Sequence, residues 1–223
     1  MLGGGIPYGR TILVEGPPGV GKTILSLHFL IDGIVKNPKS PERGLFISLD
    51  EDPVDIIHEA SVFGWNLEKL RNLGELFIID SYSGRVGLRT KFVPAVPLKD
   101  SFDPETVLDL LEKICVEKKV KRLVVDSLSA LIDGIEGKKR SKMIMKLISL
   151  CKRLSLTTFL TTGLGEDSGI ERYGTHGVIR MSYSRDGNKT GRMLEIVKMR
   201  ETPHYMGNIP YNIGKDGIEL EIL

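Results

Sequence analysis

The chain has 223 residues, 41% of them hydrophobic, and a formal net charge of +2, which suits one large core and is too small a charge to mark a nucleic-acid or membrane binder by itself. Its longest uncharged run, Thr202 to Gly214, is broken by Gly, Pro and Asn and falls short of the roughly 18 apolar residues that a bilayer span needs. The opening MLGGGIPYGR has no basic region followed by an apolar stretch, so a secretory signal is not expected and a single soluble cytoplasmic domain without a membrane partner is.

In chain order, TILVEG (11–16) reads as a strand, and Lys22 to Val35 as a helix with Ile24, Leu27, Leu30, Ile31 and Ile34 at helical spacing. LFISL (45–49) is a second strand, followed by a helix opened by Pro53, and LFIID (76–80) is a third strand. A loop from Ser81 to Phe102 carries three prolines, after which Asp103 and Pro104 suit the cap and first turn of a helix reaching about Lys119. RLVVDS (122–127), a helix near Ser141 to Leu154 and TTFLTT (157–162) complete the alternation. From Gly177 the pattern changes to two strand pairs, one around Asp186-Gly187-Asn188 and one around Lys215-Asp216-Gly217. The expectation is an α/β fold with a mainly parallel sheet covered by helices on both faces, extended by antiparallel C-terminal strands, as one domain over 1–223. Cys115 and Cys151 lie among apolar helical positions with no CxxC or His-rich neighbourhood, which predicts buried thiols and not a metal site.

GPPGVGKT, Gly16 to Thr23, fits G-x-x-x-x-G-K-[ST] between a predicted strand and a predicted helix. Its glycines let backbone N–H groups turn inward, the helix start adds a positive dipole end, Lys22 reaches the β- and γ-phosphates, and the Thr23 hydroxyl suits a Mg²⁺ ligand. Gly16, Pro17, Pro18, Gly19, Val20, Gly21, Lys22, Thr23 and Ile24 are the predicted nucleotide contacts. RLVVDSLSAL brings Asp126 to a strand's carboxyl end, where a parallel sheet sets it beside the phosphate loop as the carboxylate that holds the Mg²⁺ shell. The guanine-reading N-K-x-D pattern is absent, Asn188-Lys189 being followed by Thr190-Gly191; ATP is preferred to GTP. A further strand end, in FISLDEDPVD, carries Asp50, Glu51 and Asp52 with no spacer, Asp52 being read as a solvated lead into the next helix.

The order LGGGIPYGRTILVEGPPGVGKT, FISLDEDPVDI, FGWNLEKL, RLVVDSLSAL, TTFLTT, RYG and LEIVKMRETPH resembles the KaiC family of RecA-superfamily ATPases, including the archaeal RadA-paralogue group, over nearly the whole chain. The resemblance implies a RecA-like P-loop NTPase core working as a slow ATPase, with ATP and Mg²⁺ at the interface between subunits of a homo-oligomeric ring or filament. It also implies that Glu51 and Asp50 orient or deprotonate the attacking water, Asp50 standing where relatives have Glu. The segment KMRETPH would bring Lys198, Arg200 and His204 to the γ-phosphate of a neighbouring subunit's ATP. One such core is read here, where a circadian-clock KaiC carries a pair.

In related recombinases the loops after the fourth and fifth strands bind single-stranded DNA. Here they hold DGIEGKKRSK (133–142), with Lys138, Lys139 and Arg140 as a phosphate-binding cluster, and GLGEDSGIERYGTHG (163–177), with Tyr173 placed to stack on a base. Glu166, Asp167 and Glu171 oppose DNA there. FVPA (92–95) matches the Phe-x-x-Ala peptide that joins recombinase subunits, but it lies outside that peptide's usual linker and is read as coincidence. Two partner readings follow. One is an ATPase that binds single-stranded DNA and modulates recombination or DNA repair; the alternative is a KaiC-like nucleotide-dependent signalling switch read by a protein partner, without DNA.

Overall fold

The computed structural model describes residues 3, 5–36, 38–90, 92, 102–165, 169–187 and 189–221. These form a sheet of nine strands in the order β3-β2-β4-β5-β1-β6-β7-β8-β9. Strands β1 (Thr11–Glu15), β2 (Gly44–Ser48), β3 (Leu76–Asp80), β4 (Arg122–Asp126), β5 (Thr157–Thr162) and β6 (Gly177–Asp186) are parallel neighbours. β7 (Lys189–Met199), β8 (Asn208–Gly214) and β9 (Gly217–Leu220) extend the sheet in antiparallel fashion. The expected architecture is the observed one.

Strand residues alternate between two cores, because successive side chains leave a strand on opposite faces. Ile12, Val14, Phe46 and Val124 pack beneath α1 (Lys22–Val35), α2 (Pro53–Val62) and α3 (Leu67–Asn72). Leu13, Leu45, Ile47, Leu123 and Val125 pack on the other face against α5 (Pro104–Lys118), α6 (Leu128–Leu131) and α7 (Gly137–Arg153). Cys115 and Cys151 belong to this second core, and burial pushes both thiols up to about 12, as inert apolar groups.

Register aligns the strand ends that matter: Ser48 stands opposite both Asp80 and Asp126, and Glu15 opposite Thr162. Three strand ends fall one residue earlier than the sequence suggests, at Glu15, Ser48 and Asp126, and β2 also begins one residue earlier, at Gly44. Leu49 then bonds across to β4, its N–H meeting the Asp126 carbonyl at 2.7 Å, before the acidic residues begin.

Three short helices escape the periodicity reading: α3, which Asn66 caps through the Lys69 N–H at 2.8 Å, α6, and α8 (Gly169–Gly174). A fourth, α4 (Tyr82–Arg85), opens what reads as a plain loop. Runs of four to six residues span too few turns to show a 3.6-residue period. α7 starts four residues earlier than expected, which moves Lys138, Lys139 and Arg140 from a loop into its first turn. Of FVPA, Val93 to Ala95 lie outside the described residues, as do Glu166, Asp167 and Asn188. No helix among the described residues is long and apolar enough to cross a membrane.

Candidate nucleotide site

The loop between β1 and α1 has the backbone that a phosphate cradle requires. Gly19 and Gly21 hold φ of 75° and 103°, and a Cβ on Gly16 would come within 2.5 Å of the Met181 carbonyl oxygen, so each position needs glycine. The loop is braced from behind by tyrosines of the C-terminal strands. Tyr211 donates to the Val20 carbonyl at 2.6 Å, and Tyr183 to that of Pro18 at 3.2 Å. Lys22 folds over the loop, its Nζ donating to the Gly16 and Pro17 carbonyls at 2.9 and 3.0 Å. Burial lowers its pKa, opposed by Asp126 and Asp50.

Asp126 is the buried counterpart. One carboxylate oxygen accepts from Thr23 Oγ1 at 2.7 Å and the other from Thr161 Oγ1. Burial raises its pKa, and the two hydroxyl hydrogen bonds oppose that shift. A buried carboxylate beside a phosphate loop, which among the described residues has two hydroxyls and the nearby Lys22 for compensation, suits a divalent cation shared with Thr23.

A cleft of about 460 Å³ lies between this pair, the loop and α2. Glu51 and Glu59 border it. Partial burial raises the Glu51 pKa, with Glu59, Asp126, Asp50 and Asp55 adding to the shift in that order; burial and then Asp126 raise that of Glu59. Asp50 is drawn aside: Arg85 Nη1 lies 3.3 Å from its carboxylate while Nη2 of the same guanidinium holds Asp133 at 3.0 Å. Asp52 is the α2 N-cap, accepting from the Val54 N–H at 2.8 Å, and not merely a solvated lead. Of the three consecutive carboxylates, Asp50 thus pairs with Arg85, Asp52 caps α2, and Glu51 borders the cleft with no cation in hydrogen-bond reach among the described residues.

Lys198, Arg200 and His204 are elsewhere. β7 runs antiparallel to β6 with Val178 opposite Lys198, and the Arg200 N–H meets the His176 carbonyl at 3.0 Å beside the start of β1. This is the end of the sheet remote from the chain's own phosphate loop. Lys198 Nζ donates to the Arg172 carbonyl and, at 2.7 Å, to that of Thr175, while Arg200 Nη2 donates to Tyr173 O at 3.1 Å. The two cations reach one segment, as their i, i+2 spacing predicts. His204 Nδ1 lies 3.2 Å from the Thr202 carbonyl oxygen.

The basic cluster at the start of α7 is reduced. Arg140 forms an ion pair at 2.8 Å with Glu171, which is only 2% exposed, because α8 packs across the first turn of α7. Lys138 and Lys139 remain exposed, and Tyr173 is 80% exposed. Glu171 in turn is no obstacle to a polyanion, since its charge is internally paired. A larger cavity, about 700 Å³, opens at the amino end of the sheet. Most cations around it are engaged: Lys36 with Asp32, Arg122 with Glu42, Arg43 with the Lys118 carbonyl.

Glu59, Thr161, Tyr183 and Tyr211 are site residues that sequence reasoning missed. Glu59 had a usable signal: Ile56 turns toward the cleft one helical turn after Pro53, and Glu59 follows it at i+3. The tyrosines had none, since their reach depends on the sheet order.

A phosphate loop joining the first strand to a helix and a buried Asp on a strand two places away in a parallel sheet define a RecA-type P-loop NTPase fold. The family described as ATPase: KaiC matches residues 1–222, and the chain belongs to the KaiC family. It is 35% identical over 225 residues to the circadian clock oscillator protein KaiC of Nostoc sp. and 34% identical to that of Parathermosynechococcus lividus. Each alignment covers 97% of this chain but 41% and 39% of the relatives, so the chain spans about two fifths of their length. The crystal structure of a KaiC-like protein from Pyrococcus horikoshii OT3 superposes with a TM-score of 0.82 at 28% identity, over 99% of this chain and 93% of that one.

Proposed function

We propose that the chain is a cytoplasmic Mg²⁺-dependent ATPase that acts as a homo-oligomer, in a ring or filament with ATP at subunit interfaces. The observation that carries this reading is the hydrogen-bonded pair Thr23 and Asp126 beside the glycine cradle, in a chain of the KaiC family. Bound Mg²⁺ supplies neutralisation of the phosphate oxygens. The chain's residues do the rest: backbone N–H groups and Lys22 hold the phosphates, and Glu51 orients and deprotonates water in the cleft. Asp50 supports Glu51 through charge, its own carboxylate being shared with Arg85. Arg200, with Lys198 and His204 behind it, completes the site of a neighbour. The test is Lys22→Ala, which should abolish ATP binding in calorimetry; binding at the natural affinity would refute the phosphate-loop reading.

The better supported partner reading is a nucleotide-dependent switch whose assembly state a protein partner reads, because pairing of Arg140 with Glu171 removes one of three cations from the DNA cluster. Single-stranded DNA binding, with a RadA-paralogue role in recombination or repair, rests on exposed Lys138, Lys139 and Tyr173. Lys138→Ala with Lys139→Ala distinguishes the two. If DNA is a ligand, affinity falls with rising salt and the double variant flattens that slope by about 1.4, or ~0.7 for each phosphate no longer neutralised. Absence of DNA binding by the natural chain at low salt leaves the protein switch.

A further inference from the structure

Glu15 ends β1 and directly precedes the first glycine of the phosphate loop, yet it is a fully buried carboxylate that follows the apolar run Ile12 to Val14. Arg172 grips both its oxygens, at 2.7 and 3.1 Å, and Arg180 holds one of them at 2.8 Å while reaching Glu195 at 3.2 Å. Apolar residues of similar size generally serve stability as well as such a buried cluster does, so stability alone does not account for it.

Arg172 lies on α8, and the other attachments of that helix give the cluster a use. Its Arg172 and Tyr173 carbonyls, with that of Thr175 just beyond, accept hydrogen bonds from Lys198 and Arg200. One short helix therefore holds the residue before the phosphate loop through a side chain and the segment at the far end of the sheet through its main chain.

We propose that α8 couples the Lys198 to Arg200 segment to the chain's own phosphate loop, with Arg172 as the positioning residue. This rests on the reading above that Arg200 serves a neighbouring subunit's ATP. The two cations then divide the work. Lys198, half-buried on two carbonyls, caps the C-terminal end of α8. Arg200, exposed and with one side-chain hydrogen bond among the described residues, is the group that leaves for a neighbour's phosphate. Its departure frees the Tyr173 carbonyl, and the resulting shift of α8 passes through Arg172 and Glu15 to Gly16.

The test is steady-state ATP turnover of Arg172→Gln and Arg172→Lys over a range of protein concentrations, with ATP affinity, assembly state and unfolding temperature measured alongside. Arg180 still pairs Glu15 in both variants, so the fold is retained. Arg172→Gln should assemble and bind ATP within about 3-fold of the natural chain but turn over on the order of 10 to 100-fold more slowly, and Arg172→Lys should recover part of the rate. A second readout is amide exchange of residues 169–175, which should change on nucleotide binding in the natural chain and not in Arg172→Gln, because Arg172 carries the change at Gly16 to α8. Natural turnover by the Gln variant, an equal change of exchange in both chains, or parallel loss of affinity, rate and thermal stability in both variants would each overturn the proposal. A natural chain whose turnover is indifferent to assembly would instead refute the shared-site reading itself, before any variant is made.

Discussion

Glu51→Gln should bind ATP as tightly as the natural chain and turn it over at least about 100-fold more slowly, the lower range for loss of a positioned general base. The substitution keeps size and removes only the proton acceptor, so a loss confined to kcat identifies chemistry and not binding. The pH profile gives the same assignment a sign. The Glu51 pKa is raised by burial and, next, by Glu59. The active form is the carboxylate, so turnover should be full above that raised value and fall as pH drops through it. Glu59→Gln removes the largest neighbouring charge contribution and should move the acid limb to lower pH while leaving the neutral-pH rate within about 3-fold, well short of a general-base loss. If Glu59→Gln stops turnover and Glu51→Gln does not, the two carboxylates exchange roles, and normal turnover by both places the base elsewhere.

The parts of this protein that were legible in its sequence are those fixed by local chemistry. Strand and helix alternation up to Thr162, the Gly16 to Thr23 cradle and Asp126 at a strand end are each written in a few consecutive residues. What was not legible is what neighbours decide. Arg140 reads as a free cation until α8 brings Glu171 against it, and Glu15 reads as one more strand residue until Arg172 and Arg180 meet across more than 150 positions. Asp50 and Glu51 are indistinguishable in sequence except for one methylene. Arg85, in a stretch that reads as loop, separates them by taking Asp50. These are side-chain pairings of high sequence separation, and no period or motif encodes them.

An equal mixture of Arg200→Ala and Glu51→Gln subunits should turn over ATP faster than either variant alone. Arg200→Ala by itself should lose on the order of a thousandfold in kcat, the scale of a missing arginine finger, and Glu51→Gln should be slowed for the separate reason given above. In a head-to-tail assembly each site takes Glu51 from one subunit and Arg200 from the next. Random mixing then pairs an intact Glu51 with an intact Arg200 at about one interface in four, because each of the two independent choices is met half the time, and turnover should return to roughly that fraction of the natural rate. The sheet makes the alternative costly: Arg200 follows a strand antiparallel to β6 and hydrogen bonds beside the start of β1, whereas the phosphate loop follows that strand's end. A single subunit would have to move Arg200 along the length of β1 to serve its own nucleotide. If the mixture is no faster than either variant although both assemble together, Arg200 has no role in a neighbour's site, and its hydrogen bond to Tyr173 is then what the arginine is for.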